Sequence, residues 1–329
     1  MKKLTSNFYI DVRTLVDYLP MPACALCRGN IEYQNSAFVE AQIDFKPYDD
    51  EYVYVAQKKY KVIKSQTQKG FDLFIFQDIT ECEALLKQNL RFKTELELAK
   101  NIQSSLLKNN FPKIEGYDFV VSYFPSAAVG GDLFDIITLQ DGKVLIYVAD
   151  VSGHGIAAAM MTVFFKQEIS IFCRHSNFSI KRLIVFLNER LNGLNCGDKV
   201  YLTLFMAIID TNTGELKYYN AGHSAIPLLR KNDGTVKELY FPGVPICTWG
   251  LKADYKPRHI NLLEGERLIL YTDGMFPGKE YEAAFEKFKE LFGSLSYSKN
   301  EFIDIVSEKI INQPEDDVMM IICERTKVD

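Results

Sequence analysis

The stretch Asp150-Val-Ser-Gly-His-Gly155 joins two segments of different character near the middle of this 329-residue chain. The run before it, Lys143–Ala149, is short, apolar and rich in β-branched and aromatic residues, which is typical of a buried strand. The run after it, Ile156–Phe165, is rich in Ala and Met and contains no Pro or Gly, which predicts a helix. An acidic side chain therefore lies where a buried strand ends, and a glycine turn then leads into a helix.

This local arrangement indicates a kind of site. A carboxylate at the end of a strand can bind a hard cation, and glycine residues let the backbone approach a ligand closely. The N-terminus of a helix favours anions such as phosphate, because its first N–H groups have no partner within the helix. The stretch therefore predicts a site that holds a metal ion together with a phosphate group.

The composition limits the fold and the partners. A chain of 329 residues is long for one core, so two domains are expected. Its hydrophobic content of 47% and charged content of 25% are typical of a folded globular protein, and its net charge of -5 offers no basic surface for nucleic acid. No apolar run approaches a membrane span, and Met1–Ile10 lacks the hydrophobic segment of a signal peptide. We therefore expect a cytoplasmic protein without a membrane partner.

The seven cysteines form no regular framework of spacings, which fits reduced thiols. One pair, Cys24 and Cys27, has the C-x-x-C spacing of some metal sites. The pair is predicted to lie on a strand, where residues three apart point to opposite faces, so both sulfurs cannot reach one metal ion. We therefore expect both cysteines to be structural.

Residues 8–80 have an organisation of their own. A helix that ends before Pro20, a hairpin, a short helix and three further strands predict a small α+β unit. The predicted elements are a helix at 12–19, strands at 23–27 and 31–33, a helix at 35–41, and strands at 51–56, 60–64 and 71–76.

Two short motifs in this segment are similar to those of PAS sensor domains. They are Asn35-Ser-Ala, which follows a glycine turn and a strand, and Gln77-Asp-Ile-Thr-Glu81, which closes the last strand and opens a helix. The resemblance implies a regulatory domain over residues 8–80. No Cys, His or Trp lies where it would support a flavin or haem, so a domain that dimerises or binds protein is favoured.

Residues 81–110 are the predicted linker between two domains. Thr80–Asn110 contains no Pro or Gly and predicts one continuous helix. Positions at alternating spacings of four and three form a seam typical of a coiled coil, namely Leu85, Asn89, Phe92, Leu96, Ala99, Gln103 and Leu106. A second stripe, Leu98, Ile102 and Leu106, is predicted to dock on the following domain. A parallel dimeric coiled coil is favoured, and a linker packed on its own chain is the alternative.

Residues 111–329 are predicted to form antiparallel sheets with helices outside them, because strands follow one another in hairpins and helices occur in pairs. Acidic residues lie beside glycine turns or at the ends of four predicted strands, namely Asp132, Asp150, Asp273 and the pair Asp316-Asp317. A single such residue is more often a turn former or a helix cap. Four of them indicate a shared site, and oxygen ligands without His or Cys select Mg²⁺ or Mn²⁺.

The same acidic residues lie in motifs that resemble those of PPM-type serine/threonine phosphatases of the SpoIIE/RsbU branch. The motifs are Gly130-Gly-Asp-Leu-Phe-Asp135, Ala149-Asp-Val-Ser-Gly-His-Gly155, Asn220-Ala-Gly-His223 with Pro227, Tyr271-Thr-Asp-Gly274 and Asp316-Asp317. Their order and spacing cover the chain from Asn101 to the C-terminus. The resemblance implies a four-layer α-β-β-α sandwich with a binuclear metal site at one edge.

The resemblance also implies roles for individual residues. The implied metal ligands are Asp132, Asp150, the Val151 carbonyl, Asp273 and either Asp316 or Asp317, with Asp316 preferred. Asp150 would bridge two Mn²⁺ or Mg²⁺ ions, and Asp132 is a ligand or supports one, so both are expected to be catalytic. His154 is a candidate general acid, although a His in a glycine turn more often bonds nearby backbone. His223 is expected to be structural, and Asp135 either joins the site or faces solvent.

The implied function is that of a metal-dependent protein serine/threonine phosphatase, regulated by the PAS-like domain. Its implied substrate is a phosphorylated STAS-type antagonist of an anti-sigma factor, and its implied assembly is a homodimer through the PAS-like domain and the linker helix. A catalytically impaired pseudo-phosphatase acting as a signalling scaffold is the alternative, and a phosphatase of small phosphoesters is a third. The sequence departs from the family pattern at Val318-Met319, Pro277-Gly278 and Gly243–Cys247, which affects loops rather than the acidic residues.

Overall fold

A computed structural model gives the fold of the chain. It describes residues 11–46, 51–66, 70–107, 111–124, 126, 129–175, 178–197, 199–249, 254–276, 281–294, 298–308 and 316–327. The chain divides into two compact units, Met1–Thr94 and Glu95–Asp329. The departure from the family pattern at Pro277-Gly278 and the last residues of the predicted linker, 108–110, lie outside the described residues.

The first unit contains a five-stranded antiparallel sheet and two short helices. Its elements are α1 (Val12–Asp17), β1 (Ala23–Cys27), β2 (Asn30–Gln34), α2 (Ser36–Glu40), β3 (Tyr52–Val55), β4 (Lys58–Gln66) and β5 (Asp72–Asp78). The strand order is β2-β1-β5-β4-β3. Every element predicted for this segment is present, with ends that differ by no more than two residues. The α+β prediction is therefore confirmed.

The sheet of the first unit carries a core on each face. On one face, Val12 and Val16 of α1 pack against Ala23, Ala25 and Leu73. On the other face lies a more aromatic core, formed by Cys24, Leu26, Phe38, Ile43, Tyr60, Phe74 and Phe76. Period-two alternation along β1 and β5 accounts for this division, since successive residues of a strand point to opposite faces.

Asn35 fixes how α1, β1 and α2 meet. Its side-chain carbonyl accepts hydrogen bonds from the amides of Ala23 and Phe38, at 3.0 and 2.9 Å, and so caps α2. Its amide group donates to three carbonyls of the connection between α1 and β1, those of Val16, Leu19 and Met21. The asparagine of the Asn35-Ser-Ala motif is therefore a structural residue.

Both cysteines of the C-x-x-C pair are free thiols on β1. Cys24 is fully buried, whereas Cys27 is partly exposed. Burial raises the pKa of the Cys24 thiol to about 12, so this thiol stays protonated and unreactive at neutral pH. Cys24 therefore behaves as a structural cysteine, as expected.

Helix α3 (Thr80–Leu107) is continuous over 28 residues, as predicted. Its last turns belong to the second compact unit, which begins at Glu95. The predicted docking stripe is wrong, because Leu98, Ile102 and Leu106 are 61%, 54% and 40% exposed.

The residues of α3 that face the second unit are instead Gln103 and Leu107, which are 7% and 9% exposed. Gln103 was predicted in the coiled-coil seam, and this assignment is also wrong. The face that docks is chosen by hydrogen bonds from the Gln103 side chain to the backbone of Gly130 and to Thr162. A pattern of apolar residues carries no information about such a contact.

The second unit contains two antiparallel sheets. The first consists of β7 (Asp132–Thr138), β8 (Lys143–Val151), β9 (Tyr201–Asp210), β10 (Glu215–Ala221), β13 (Ile246–Cys247) and β14 (Arg258–Asn261). Its order is β14-β10-β9-β8-β7, and β13 pairs with β9. The second consists of β6 (Tyr117–Phe124), β11 (Leu228–Arg230), β12 (Val236–Glu238), β15 (Arg267–Tyr271) and β16 (Val318–Arg325). Its order is β12-β11-β15-β16-β6.

Two pairs of helices complete the second unit: α4 (Ile156–Cys173) with α5 (Ile180–Gly193), and α6 (Tyr281–Gly293) with α7 (Lys299–Val306). One core joins α4 and α5 to the first sheet, a second joins the two sheets face to face, and a third joins the second sheet to α6 and α7. This is the four-layer order that the resemblance implied. Residues that alternate along β8 divide between the first two cores.

Contrary to the expectation that no apolar run approaches a membrane span, helix α4 has the length and apolar composition of one, and no other described helix does. Its apolar residues have a packing explanation in this fold, because Ala158, Phe165 and Ile169 belong to the core over the first sheet. The helix also carries two buried charged residues, Lys166 and Glu168. Its composition is that of a helix packed inside a globular unit.

Asp135 neither joins the acidic site nor faces solvent, so both expectations for it were wrong. It is 8% exposed and lies 3.5 Å from the ammonium group of Lys166. Lys166 also donates to the carbonyls of Leu107 and Phe134, at 3.2 and 3.4 Å. Asp135 lies three residues after Asp132 on β7, so its side chain points to the opposite face. The buried Lys166 thereby ties the end of α3 to α4 and β7.

Candidate metal centre

Asp132 and Asp150 lie opposite each other on neighbouring strands of the first sheet. β7 and β8 pair in antiparallel register, with Asp132 facing Asp150. Alternation places both carboxylates on the face that also carries Phe134 and Val148, which belong to the core between the two sheets. The pair therefore points into the open edge of the sandwich.

Asp273 and Asp316 lie at the ends of two neighbouring strands of the second sheet. Asp273 opens a short 3₁₀ turn after β15, and Asp316 lies two residues before the start of β16. Thr272 holds these ends together, because its amide donates to the Met319 carbonyl at 3.1 Å and its hydroxyl accepts from the Met319 amide at 3.0 Å. Acidic residues from distant motifs are thus brought to the same edge.

Gly131 leaves open a small space that is bounded by oxygen atoms. A Cβ atom added at this glycine would lie 3.1 Å from the Val151 carbonyl oxygen, 3.5 Å from Asp150 Oδ1 and 3.5 Å from the Gly153 carbonyl oxygen. Three oxygens of the Asp150–Gly153 turn therefore surround one point. Oxygen donors at such a point are what a Mg²⁺ or Mn²⁺ ion requires.

The electrostatics of the pair also suit a cation. Asp132 is 4% exposed, and its Oδ2 has no hydrogen-bond partner among the described residues. Burial, and then the charge of Asp150, raise the pKa of Asp132 well above its ordinary value. Burial, and then Asp273, Asp316 and Asp317, raise the pKa of Asp150 to about 7. These carboxylates therefore repel one another, and a bound cation would offset that repulsion.

The two adjacent aspartates before β16 differ in what they contact. Asp317 is 4% exposed, and its Oδ1 accepts from the amide and hydroxyl of Ser126 at 2.9 and 3.1 Å. Its Oδ2 accepts from the Tyr123 hydroxyl at 3.2 Å. Asp316 is exposed, and its Oδ1 accepts from the Asp317 amide at 2.8 Å. The protein thus uses both oxygens of Asp317, which favours Asp316 as the ligand.

The carboxylate of Asp317 also explains the first glycine of the Gly130-Gly-Asp motif. A Cβ atom at Gly130 would lie 1.7 Å from Asp317 Oδ2 and 2.5 Å from the Tyr123 hydroxyl. Only glycine fits between the loop and this carboxylate. The two glycines of the motif therefore serve different ends, since Gly130 packs against a structural aspartate and Gly131 keeps the oxygen-lined space open.

Asp273 is exposed, and the Ser224 hydroxyl donates to its Oδ2 at 2.8 Å. Ser224 follows Asn220-Ala-Gly-His223 directly, so it connects that motif to the acidic site. Across the described residues, no three His, Cys, Asp or Glu side chains converge closely enough to hold a metal ion by themselves. The structure thus presents two pairs, Asp132 with Asp150 and Asp273 with Asp316, at one edge.

Comparison with known proteins places this arrangement in a family. The family model described as Stage II sporulation protein E (SpoIIE) matches residues 140–326, which is more than half of the chain. The chain belongs to the SpoIIE family.

Individual relatives agree with this assignment. Protein IcfG of Synechocystis sp. is 27% identical over 263 residues, 70% of this chain and 41% of IcfG. Phosphoserine phosphatase RsbP of Bacillus subtilis is 28% identical over 197 residues, 56% of this chain and 46% of RsbP. The chain thus spans less than half the length of these two curated relatives. The crystal structure of the RsbU and RsbW domains of Rv1364c from Mycobacterium tuberculosis has a TM-score of 0.58 and 26% identity, over 67% of this chain and 64% of that chain.

The two histidines of the SpoIIE-family motifs differ in their surroundings. His223 is 4% exposed, with Nε2 2.9 Å from the Tyr271 carbonyl and Nδ1 3.4 Å from the Thr203 hydroxyl. Burial lowers the pKa of His223. His223 is therefore a neutral structural residue, as expected. His154 is exposed in the turn between β8 and α4, and among the described residues its ring has no hydrogen-bond partner.

Sequence reasoning missed the role of Gln103 in this SpoIIE-family fold. Its Nε2 donates to the Gly130 carbonyl at 2.9 Å and to the Thr162 hydroxyl at 3.0 Å, while its Oε1 accepts from the Gly130 amide at 3.2 Å. The buried side chain thus connects α3, α4 and the loop that precedes Asp132. A glutamine on the buried side of an amphipathic helix was the available signal, because a buried amide needs specific partners.

Proposed function

We propose that this chain is a metal-dependent protein serine/threonine phosphatase. The observation that carries the proposal is the oxygen-lined space beside Gly131, which faces the carboxylate pair Asp132 and Asp150 at the edge of a sandwich of SpoIIE-family type. Phosphate esters are negatively charged and resist attack by water. A site that gathers carboxylates at an open edge suits cations that neutralise this charge.

In this proposal, two Mn²⁺ or Mg²⁺ ions are held by Asp132, Asp150, the Val151 carbonyl, Asp273 and Asp316. When bound, such ions would offset the negative charge of the phosphoryl oxygens and lower the pKa of a bound water molecule, so that hydroxide is available at neutral pH. Asp150 is central because its carboxylate borders the space at Gly131, and the charges of Asp273, Asp316 and Asp317 raise its pKa. Ser224 orients Asp273 by its hydrogen bond to Oδ2.

His154 remains the candidate for the general acid. Its ring is exposed beside Asp150 and is free to carry a proton to the leaving serine oxygen. His223 is unsuited to this task, because it is buried and its ring contacts the Tyr271 carbonyl. A His154→Gln variant with lower kcat and unchanged Mn²⁺ affinity would support the role. Unchanged kcat at every pH would exclude it.

The substrate proposed for the chain is a phosphorylated STAS-type protein in a partner-switching pathway. Support comes from family membership and from the relative that is named a phosphoserine phosphatase. Regulation is assigned to the PAS-like first unit, whose α+β sheet precedes one continuous helix into the second unit. The contact of Gln103 with Gly130 provides a route by which a change in α3 reaches the loop before Asp132.

The proposed assembly is a homodimer through the PAS-like unit and α3. The support is a set of apolar side chains of α3 that are more than half exposed, namely Leu85, Leu86, Leu90, Phe92, Leu98 and Ile102. Apolar residues repeated along one helix favour association with another helix. Sedimentation of the chain at micromolar concentration tests this, with Leu90→Lys expected to shift the population to monomer.

A pseudo-phosphatase that acts as a binding scaffold is the second candidate. It is favoured by the finding that no three acidic side chains of the described residues converge as a complete metal site. The decisive experiment measures Mn²⁺-dependent hydrolysis of p-nitrophenyl phosphate and of a phosphoserine protein, beside nucleotides and sugar phosphates. The phosphatase proposal requires hydrolysis that Asp150→Asn abolishes. No Mn²⁺-dependent hydrolysis of any of these substrates by the wild-type protein would favour the scaffold.

A further inference from the structure

A cavity lies beside the candidate metal centre. It has a volume of about 210 Å³ and is formed by two segments, residues 220–227 and 239–243. Ser224 belongs to its wall, and the hydroxyl of this serine contacts Asp273 Oδ2 at 2.8 Å. One wall residue thus contacts Asp273, a proposed metal ligand, so the cavity lies next to the proposed site of reaction.

The cavity is built before any ligand arrives. Asn220 locks its two segments together, because its side-chain amide donates to the Phe241 carbonyl at 2.7 Å and to the His223 carbonyl at 3.1 Å. Its side-chain carbonyl accepts from the His223 amide at 2.7 Å. Gly243 lets the two segments approach closely, since a Cβ atom there would lie 2.2 Å from the Asn220 carbonyl oxygen. A cavity fixed in this way costs little ordering when it binds.

The chemistry of the wall limits what can enter. The polar side chains of the wall are Asn220, His223, Ser224 and Tyr240, and the first three are already hydrogen-bonded to protein atoms. Within the part of the chain that the structure describes, no charged residue lines the cavity. The open wall therefore presents uncharged polar atoms together with apolar and aromatic surface, the latter chiefly from Ile226, Tyr240 and Phe241. Tyr240 is 70% exposed at the rim.

We infer that this cavity receives an apolar or aromatic side chain that lies close to the phosphoserine in the protein substrate. The inference rests on the proposed phosphatase function and deepens it, because it names a feature of the substrate. An extended peptide advances about 3.3 Å per residue, so a side chain within roughly three residues of the phosphoserine reaches the cavity. The size of the cavity suits one large side chain.

The test uses phosphoserine peptides that differ at one position, from three residues before to three after the phosphoserine. Ala, Leu, Phe and Glu are placed there in turn, and kcat/KM is measured with Mn²⁺ for the full chain. At the position that reaches the cavity, Leu or Phe is expected to exceed Ala by roughly 10-fold, as burial of one apolar side chain allows. Glu is expected to be no better than Ala. Equal values for all four residues at every position would overturn the inference.

Two variants locate the preference in the cavity. Tyr240→Ala removes the exposed rim, and Pro242→Trp places a bulky ring at the mouth, and both are expected to reduce the preference to 3-fold or less. Hydrolysis of p-nitrophenyl phosphate should stay within 2-fold of wild type, because this substrate carries no flanking residue. Tyr18→Ala, at an 83% exposed tyrosine of the first unit, is the matched control. A preference that both cavity variants retain would contradict the inference.

Binding separates failure of the inference from failure of the proposed function. Fluorescence anisotropy of the same peptides on the Asp150→Asn variant measures flank preference without turnover. Binding that favours Leu or Phe and is lost in Tyr240→Ala supports the cavity, even if wild-type protein hydrolyses nothing. Hydrolysis of p-nitrophenyl phosphate without any flank preference in rate or binding leaves the phosphatase proposal intact and overturns the cavity.

Discussion

The two halves of the candidate metal centre are built in different ways. Asp132 and Asp150 lie on paired strands of the first sheet, and burial raises the pKa of both. Asp273 and Asp316 lie on turns beyond the second sheet and are exposed. The first half is therefore fixed by strand register and costs stability when no cation is present, whereas the second half is positioned by individual hydrogen bonds and costs little.

The largest expected effect comes from removing one carboxylate from each half of the candidate metal centre. Asp132→Asn and Asp273→Asn should both lower kcat/KM on p-nitrophenyl phosphate by on the order of 100-fold or more, because each removes a proposed metal ligand. In metal-free protein at pH 7, Asp132→Asn should raise the free energy of unfolding by about 1–3 kcal/mol, since a buried carboxyl with a raised pKa opposes folding above its unfolded pKa.

Asp273→Asn is the contrasting variant, and it should change the stability of metal-free protein by less than about 0.5 kcal/mol. Urea unfolding in EDTA measures both values. The increase in unfolding free energy caused by Asp132→Asn should become smaller as the pH falls towards 4, because the Asp132 carboxyl of the wild-type protein then becomes protonated in the unfolded chain as well. Equal stability changes for the two variants would remove the distinction between the halves.

Gly131→Ala is expected to have the next largest effect. The added methyl group enters the space bordered by the Val151 carbonyl and Asp150 Oδ1, at 3.1 and 3.5 Å. We expect Mn²⁺ affinity, measured by calorimetry, to fall roughly 10- to 100-fold, with little change in metal-free stability. Unaltered affinity would show that the cation does not use this space. Gly193→Ala, where a Cβ atom meets nothing within 4 Å, is the matched control.

Gln103→Ala tests the hydrogen bonds that support the loop before Asp132, in the first half of the candidate metal centre. Removal of the side chain leaves the amide and carbonyl of Gly130 without partners in a buried place, which should cost about 1–3 kcal/mol of unfolding free energy. The loss should appear in denaturant unfolding, together with weaker Mn²⁺ binding. Gln88→Ala on the exposed side of α3 should change neither quantity. Stability equal to wild type would mean that Gly130 finds other partners.

The smallest expected effect concerns the second half. Ser224→Ala removes the hydroxyl that donates to Asp273 Oδ2, so this carboxylate loses orientation. We expect KM for Mn²⁺ to rise by roughly 10-fold, because groups that orient metal ligands commonly contribute that much. Stability should be unchanged, since both side chains are exposed. Ser224→Thr, which keeps the hydroxyl, should restore the wild-type value.

Strand positions could be predicted from sequence far better than contacts. The pattern of residues from Tyr117 to Phe124 predicts a strand, and β6 has these bounds, because period two is a local property of the chain. The acidic residues at strand ends were found for the same reason. The contact of Ser224 with Asp273 joins residues 49 apart, so no local pattern could reveal it.

Errors of prediction arose where polar groups decide the packing. The docking face of α3 was misplaced because Gln103 was judged by its spacing and not by its need for partners. Asp135 was misjudged because its partner, Lys166, lies on another element. In both cases, the decisive contact is a hydrogen bond or ion pair inside the second unit, where an unpaired polar group is costly.

The docking of α3 has a practical consequence for truncation. A fragment that starts at Phe111, the predicted edge of the phosphatase domain, lacks Gln103 and Leu107. It would leave the Gly130 backbone and part of the Lys166 ammonium group unbonded, and would uncover apolar surface over α4. A fragment that starts at Glu95, where the second compact unit begins, keeps these contacts. The fragment that starts at Glu95 should therefore express in higher yield and be more soluble than the fragment that starts at Phe111.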